Sequence, residues 1–173
     1  MTFKVNYRDT GGKCWTRGQK FEDLCLEVFQ QRGIKTRPSN EQEDTYLHAD
    51  FFAYSEKWGR WVSVDAKAMR AVQRGQPLQD EFIFVEWKNT TGKPGWLIGG
   101  ADVLVFERKT DLVVVNRSTV LDTARELVNR KKRVDYANKS LYAVYTRYGR
   151  KDEISMIRIS DIPEDMISVW PKT

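Results

Sequence analysis

The sequence predicts a mixed α/β (α+β) domain in which a central sheet is flanked by helices. Residues 16–33, and a second segment that begins at Ser118 or Thr119, carry apolar side chains at helical spacing. Short segments rich in β-branched and aromatic residues lie between these helices and after the second one. The elements are therefore expected in the order helix, strands, helix, strands.

The length and composition of the chain suit one folded domain. It has 173 residues, of which 40% are hydrophobic and 31% are charged. This balance is ordinary for a globular protein with a well-formed core, and it differs from that of a disordered chain. No Pro-, Gly- or Ser-rich linker divides the sequence, so residues 1–173 are expected to form a single domain.

The first helix is predicted between a capping Thr16 and a closing Gly33. Positions 21, 24, 25 and 28 are apolar and lie on one face of such a helix. The helix is therefore amphipathic. From the pattern alone, Glu22 is an exposed helix charge.

A β-hairpin is predicted next. The segments His48–Tyr54 and Trp61–Lys67 flank a turn at Lys57–Arg60, and both are rich in strand-forming residues. Because side chains alternate between the faces of a strand, Asp65 and Lys67 share one face, and the valines beside them line the apolar face. With the turn near Trp58, cross-strand neighbours have numbers that sum to about 115 or 117. Asp50 therefore lies opposite either Asp65 or Lys67.

The remaining elements follow from the same patterns. Strands are predicted at 81–89 and 99–106, which are separated by a Gly-rich stretch. The second helix is expected to end in the basic run 130–133, and two further strands are expected at 141–148 and 153–159.

Two acids and a lysine on adjacent strands can serve phosphodiester hydrolysis. Mg²⁺ prefers oxygen ligands and is commonly held by one or two carboxylates together with water and substrate phosphate. Asp50 and Asp65 would hold Mg²⁺, for which Mn²⁺ is expected to substitute, and Lys67 would orient water or stabilise developing charge. The alternative is that these residues have no catalytic role, because an acid-x-Lys pattern on a strand most often marks a solvated face of a sheet.

An acid followed after fourteen residues by Asp-Ala-Lys on a strand resembles the PD-(D/E)XK nuclease superfamily. Asp50 matches its first acid, and Asp65 and Lys67 match its (D/E)XK pair. This chain has Asp65 where Glu is commoner and Ala49 where the name has Pro. The resemblance implies a restriction-endonuclease-like fold, with a central mixed sheet flanked by helices, and a metal-dependent nuclease that acts on DNA.

The context of the motif extends this resemblance from about Gly18 to about Val128. Val85-Glu86, then Gly-Trp-Leu, then Gly-Ala-Asp before a hydrophobic strand is similar to small bacteriophage endonucleases of the superfamily. These enzymes and the related Holliday junction resolvases cut internally, so an endonuclease is expected rather than an exonuclease. Many act as dimers, so a homodimer is among the implied assemblies. The nuclease core would span about 16–130, and about 140–173 would add strands to it.

A third acid is expected at the metal site, and two residues compete for the role. Glu86 shares a strand face with Phe84 and Lys88, and it would be an auxiliary metal ligand. It also opens a competing assignment, in which Glu86 and Lys88 are the Glu-x-Lys pair and Asp65 is the first acid. Glu22 matches a first-helix glutamate that reaches the metal in the resembled family, and its other reading is a solvated charge.

The charge of the chain suits a polyanionic partner. The net charge is +5 and the sequence pI is about 9.2. Arg70 and Arg74 follow Lys67 in a loop, where they are expected to contact the DNA backbone. The run Arg130, Lys131, Lys132 and Arg133 could also hold phosphates, although cations at a helix C-terminus are equally explained by the helix dipole.

Two rival functions are also compatible with the sequence. One is a binding module for nucleic acid that has the fold without catalysis, and the other is a nuclease specific for RNA or for branched DNA. The first residues lack the apolar block of a signal peptide, and no apolar run reaches transmembrane length. We therefore expect a cytoplasmic protein, in a bacterium or a bacteriophage-infected cell, with no membrane partner. A single histidine excludes multi-histidine zinc sites.

Overall fold

Two β-sheets and three α-helices make up the part of the chain that the computed structural model describes, which is residues 13–172, with side chains from residue 16 onward. The helices are α1 (Lys13–Gln31), α2 (Glu41–Leu47) and α3 (Arg117–Leu127). The strands are β1 (Thr36–Pro38), β2 (Phe51–Ser55), β3 (Arg60–Lys67), β4 (Phe82–Lys88), β5 (Val103–Glu107), β6 (Asp111–Asn116), β7 (Arg133–Val134), β8 (Val144–Tyr145), β9 (Glu153–Arg158) and β10 (Ile167–Pro171). The mixed α+β class is confirmed.

The larger sheet has six strands in the order β1-β2-β3-β5-β6-β10. The β3–β5 pair is parallel and the other pairs are antiparallel, so the sheet is mixed. β2 and β3 form the predicted hairpin, and its turn contains Gly59 in the left-handed region at φ 61°. This arrangement puts β3, the strand of Asp65 and Lys67, in the interior of the sheet.

Helix α1 covers one face of this sheet. Its buried residues Phe21, Cys25, Val28 and Phe29 pack against a cluster that includes Val64 of β3. The predicted apolar face is therefore the packing face. The helix ends where the N–H of Gly33 donates to the carbonyl of Gln30, with Gly33 at φ 74°.

The opposite face of the larger sheet carries a second sheet and helix α3. This sheet has the order β4-β9-β8-β7, so β4 does not extend the sheet that holds the hairpin. Val85 and Trp87 of β4 share a buried core with Phe106 of β5 and with Val120 of α3. The described residues therefore form two sheets where one central sheet was expected.

Several element boundaries differ from the sequence prediction, among them those of α3 and β8. Helix α3 ends at Leu127, before the basic run, because Val128 turns to extended backbone and Asn129 donates its N–H to the carbonyl of Tyr142. The predicted strand at 141–148 is reduced to the two residues of β8. Tyr142 breaks it, since this residue takes a left-handed φ of 57°.

None of the helices within the described range is long and apolar enough to cross a lipid bilayer.

Candidate functional site

The β2–β3 hairpin brings the two predicted acids together. Phe51 pairs with Val64 and Phe52 pairs with Ser63, so the numbers of paired residues sum to 115. Continuing this register sets Asp50 opposite Asp65, and the N–H of Asp50 donates to the carbonyl of Val64 at 2.8 Å. This is one of the two registers that the turn position predicts.

The side chains of Asp50, Asp65 and Lys67 form one cluster. The Asp50 Oδ2 atom accepts a hydrogen bond from the N–H of Ala66 at 2.7 Å. The Lys67 Nζ atom lies 2.8 Å from Asp65 Oδ1. Asp65 is only 2% exposed, and its Oδ2 atom is buried without a hydrogen-bond partner among the described residues. The interaction between the Asp50 and Asp65 carboxyls becomes a hydrogen bond only when one of the acids carries a proton.

Burial raises the pKa of both acids. Burial, followed by the charge of Asp65, raises the pKa of Asp50 to about 7, although Lys67 opposes the shift. Burial also raises the pKa of Asp65, again against the effect of Lys67. One lysine therefore does not fully compensate the two carboxylates.

Of the two competing third acids, Glu22 is the one that is electrostatically coupled to the pair. Burial and then the charge of Asp50 raise the pKa of Glu22 to about 7. The charge of Glu22 in turn contributes to the raised pKa of Asp65. Glu22 is therefore partly buried, and its charge is coupled to those of Asp50 and Asp65.

Glu86 lies on a different wall. It belongs to β4 in the second sheet, and it lines the same cleft as Lys67. The competing Glu86–Lys88 assignment fits this geometry poorly, because the Lys88 Nζ atom lies 2.7 Å from Glu153 Oε1. The assignment of Asp50, Asp65 and Lys67 fits the structure better, because their side chains form one cluster on the hairpin.

Trp96 closes one side of the cluster. The Lys67 Nζ atom lies 4.8 Å from the centre of its ring, within cation–π range. The loop that carries Trp96 is fastened to β4, since Gly95 donates its N–H to the carbonyl of Trp87 and Leu97 donates to that of Glu86. A Cβ atom on Gly95 would lie 2.4 Å from the Glu86 carbonyl oxygen, so only glycine allows this approach. The alternation of the sequence does not reveal this contact.

A cleft of about 330 Å³ opens beside the cluster, and its walls include Lys67, Arg70, Phe84, Glu86 and Trp96. A larger cavity of about 560 Å³ lies elsewhere, next to Asp80 and Arg108, and none of the predicted site residues lines it. The smaller cleft is the candidate site because Lys67, Arg70 and Glu86 line it. Asp50 and Asp65 do not line it, and Asp65 is connected to it through its ion pair with Lys67.

The predicted DNA-binding cations occupy two places. Arg70 lines the cleft and starts a surface loop that Gln79 closes by donating its N–H to the Arg70 carbonyl, and exposed Arg74 belongs to the same loop. The run 130–133 lies beyond α3, so the explanation from the dipole of that helix does not apply. Arg130 and Arg133 both lie near Glu153 of β9, at 3.6 and 3.2 Å, and exposed Lys131 and Lys132 lie between them in the chain.

The capacity of the cluster for a metal ion follows from its donor atoms. Within the described range, no three His, Cys, Asp or Glu residues form a ready-made metal site. Mg²⁺ does not require three, since it often binds one or two carboxylates and keeps several waters. The buried, unsatisfied Oδ2 atom of Asp65 is the kind of atom that a cation would satisfy, so Asp50 and Asp65 fit a divalent ion.

The arrangement is suited to holding a cation and a proton donor beside a cleft. The likeness to PD-(D/E)XK nucleases remains a resemblance read from the sequence. Comparison of the chain with models of protein families, with curated proteins and with solved structures finds no match in any of the three.

Proposed function

We propose that this protein is a metal-dependent nuclease that hydrolyses phosphodiester bonds within DNA. One observation supports this above the others, namely the buried Asp50–Asp65 pair with an unsatisfied oxygen and with Lys67 at 2.8 Å. Burying two carboxylates with a single lysine is costly for a purely structural purpose. A function that requires a cation explains the cost.

Asp50 and Asp65 would hold Mg²⁺ or Mn²⁺ in this proposal, with Glu22 close enough to add charge. Such an ion supplies Lewis-acid stabilisation of the negative charge that develops on the phosphate. Lys67 donates hydrogen bonds to the attacking water or to a phosphate oxygen, and the Trp96 ring restricts where its ammonium group can move. Glu86, on the far wall, is an auxiliary acid at most.

Arg70 and Arg74 would position the DNA backbone beside the cleft. The chain carries a net charge of +5, and such an excess of cations favours binding to phosphates of any sequence. The same charge would suit RNA or a branched DNA, so the preferred substrate has to be measured. The resemblance also implies a homodimer, which light scattering with and without DNA would detect.

The test is a cleavage assay on supercoiled plasmid, linear duplex, single-stranded DNA, a four-way junction and RNA. Each substrate is incubated with Mg²⁺, with Mn²⁺ or with EDTA. Asp65→Asn is compared with Asp122→Asn, a matched control on the exposed surface of α3. Metal-dependent cutting that Asp65→Asn abolishes and Asp122→Asn retains would support the nuclease. Cutting that persists in Asp65→Asn, or in EDTA, would contradict it.

A non-catalytic binding module is the second candidate. It is favoured by the lack of three clustered metal-ligating groups within residues 13–172 and by the existing ion pair between Lys67 and Asp65. Nucleic acid that binds in EDTA and is never cut with either metal ion would identify this function.

A further inference from the structure

The outward face of β4 is unusual in its side chains. Ile83, Val85 and Trp87 point into the core and are buried, so the residues between them face outward. On the solvent side of an antiparallel strand polar residues are expected, yet this strand has Phe82 and Phe84 there, and both are only partly buried. Partly exposed aromatic rings at consecutive outward positions need an explanation beyond core packing.

The two rings line the same cleft as the proposed catalytic lysine. Phe82, Phe84, Lys67 and Trp96 all contribute to its walls. The volume of about 330 Å³ is at the lower end of the range of small-molecule pockets, which suits a single planar group and not a folded chain. A group held here would lie beside the Asp65–Lys67 pair.

The cleft carries charges of both signs. Three cations, Arg17, Lys67 and Arg70, line it together with two carboxylates, Glu86 and Glu107. Glu107 also accepts a hydrogen bond from Lys172 at 3.0 Å. An uncharged planar ring is compatible with both signs of charge.

An arginine lies closer to the ring of Phe82 than to that of Phe84. The Arg158 guanidinium lies 4.8 Å from the centre of the Phe82 ring, and it is anchored there by an ion pair with Glu81. The Arg70 guanidinium lies 5.8 Å from the centre of the Phe84 ring, near the outer limit of cation–π contact. Aromatic rings flanked by arginine are the common platform for stacking unpaired bases.

We infer that the cleft accepts an unpaired nucleobase, which stacks on Phe84 next to the phosphodiester bond that is cut. The inference rests on the proposed function and names its substrate class as DNA with at least one unpaired nucleotide at the site of cleavage. Paired bases are excluded because their faces are covered by their neighbours in the duplex.

Binding in EDTA tests the inference without cleavage. The probes are a fluorescein-labelled thymidine 12-mer, the same strand with abasic central positions, and a blunt duplex, each followed by anisotropy. Phe84→Leu keeps an apolar side chain but removes the ring, and Phe84→Trp restores a ring. The control is Tyr148→Leu, since Tyr148 is 92% exposed and does not line the cleft. Thermal melting shows that each variant is folded.

We expect Phe84→Leu to weaken binding of the thymidine strand roughly tenfold, as for the loss of one stacked base. Binding of the abasic strand and the duplex, and all binding by Tyr148→Leu, should stay the same, and Phe84→Trp should bind like the wild type. An equal loss on all three probes, or no loss on any, would overturn the inference. So would a wild type that does not distinguish the thymidine strand from the abasic one.

Plasmid cleavage in Mg²⁺ separates this result from the proposed function. A protein that never cuts, yet shows the Phe84-dependent preference for unpaired bases, overturns the nuclease and leaves the base site standing. A protein that cuts in a metal-dependent way, but binds unpaired bases independently of Phe84, overturns the base site alone.

Discussion

Two buried acidic centres in this molecule have opposite charge environments. On the second sheet, the Glu153 carboxylate lies within 3.6 Å of side-chain nitrogens of Lys88, Arg130 and Arg133. Burial alone would raise the pKa of Glu153, but the hydrogen bond to Lys88 and the charges of Arg133, Lys88 and Arg130 hold it below its usual value. On the hairpin, Asp65 and Asp50 share one lysine, and both have raised pKa values.

The difference indicates what each centre is for. Around Glu153, cations outnumber the acid, so the centre is electrostatically complete without a ligand. Around Asp65, acids outnumber the cation, and one buried carboxylate oxygen has no hydrogen-bond partner in the described part of the chain. Buried ions need compensation, so the hairpin centre is the one that gains from a bound cation.

The largest expected effect separates the two centres by activity. Asp65→Asn should lower the cleavage rate at least about 10²-fold, because it removes a charge that binds the ion and acts on the reacting phosphate. Glu153→Gln should leave the rate nearly unchanged. Plasmid nicking in Mg²⁺ measures both. Equal losses in the two variants would show that the contrast between the centres has no functional meaning.

Stability should rank variants of the two regions in the reverse order. Asp152 lies beside Glu153 in the chain and is fully buried, and it accepts hydrogen bonds from Arg147 Nε at 2.5 Å and from the Arg147 N–H at 2.9 Å. Asp152→Asn leaves a partly buried guanidinium without its counter-charge, which should cost about 3 kcal/mol. Urea unfolding in EDTA measures the free energy of unfolding.

Asp65→Asn in the same experiment should be neutral or stabilising, since it removes a charge that is buried with too little compensation. If Asp65→Asn unfolds the protein as strongly as Asp152→Asn, the hairpin carboxylates are structural. The proposed difference between the hairpin acids and the acids of the second sheet would then be wrong.

The pH dependence of stability gives a smaller and more specific effect. Asp50 and Glu22 have pKa values of about 7 in the folded protein, raised from 3.8 and 4.5 chiefly by burial. The folded state therefore binds these protons more tightly than the unfolded state. The stability that the protons contribute is complete below about pH 4, and it is lost as the pH rises through 7.

In EDTA we expect the free energy of unfolding to fall by about 2 kcal/mol between pH 5.5 and 8, because partial exposure of both groups reduces the full shift. Mg²⁺ at pH 8 should restore about 2.7 kcal/mol at one hundred times its Kd. Asp50→Asn should flatten the pH dependence and weaken the Mg²⁺ effect. A stability that rises with pH in EDTA, or that ignores Mg²⁺, would contradict a cation site.

Local patterns predicted the hairpin centre but not its surroundings. The alternation in Trp61–Lys67 predicts the face, and the position of the turn limits the register to two alternatives, since both depend on neighbours along the chain. The sequence did not predict that β4 starts a second sheet, because its pattern suits a strand in either sheet. It could not rank Glu22 against Glu86 for the same reason, since that choice depends on how α1 and β4 pack.

The Glu153 centre was missed altogether. The sequence pattern predicts that the basic run 130–133 ends a helix, yet α3 stops at Leu127, and the run turns towards β8 and β9. The one signal in the sequence is Glu153, an acid at the start of a strand, and a single acid does not identify its partners. Long-range ion pairs depend on tertiary packing, and neither propensity nor periodicity encodes them.

The smallest expected effect is on the salt dependence of DNA binding. It distinguishes the cations that are paired with Glu153 from those that can contact DNA phosphates. Lys131 and Lys132 are exposed, and neither has an ion pair within the described residues, whereas Arg130 and Arg133 share the Glu153 carboxylate. If the run contacts DNA, each of these lysines neutralises a phosphate, and removing both should make the negative slope of log K against log salt shallower by about 1.8. Anisotropy with a labelled duplex at several salt concentrations, in EDTA, measures the slope. Removing Arg130 and Arg133 together should change it by less, because Glu153 already neutralises part of their charge. Equal changes for lysine and arginine would mean that Glu153 releases its partners when DNA binds, and no change for either would place the DNA contact at Arg70 and Arg74 instead.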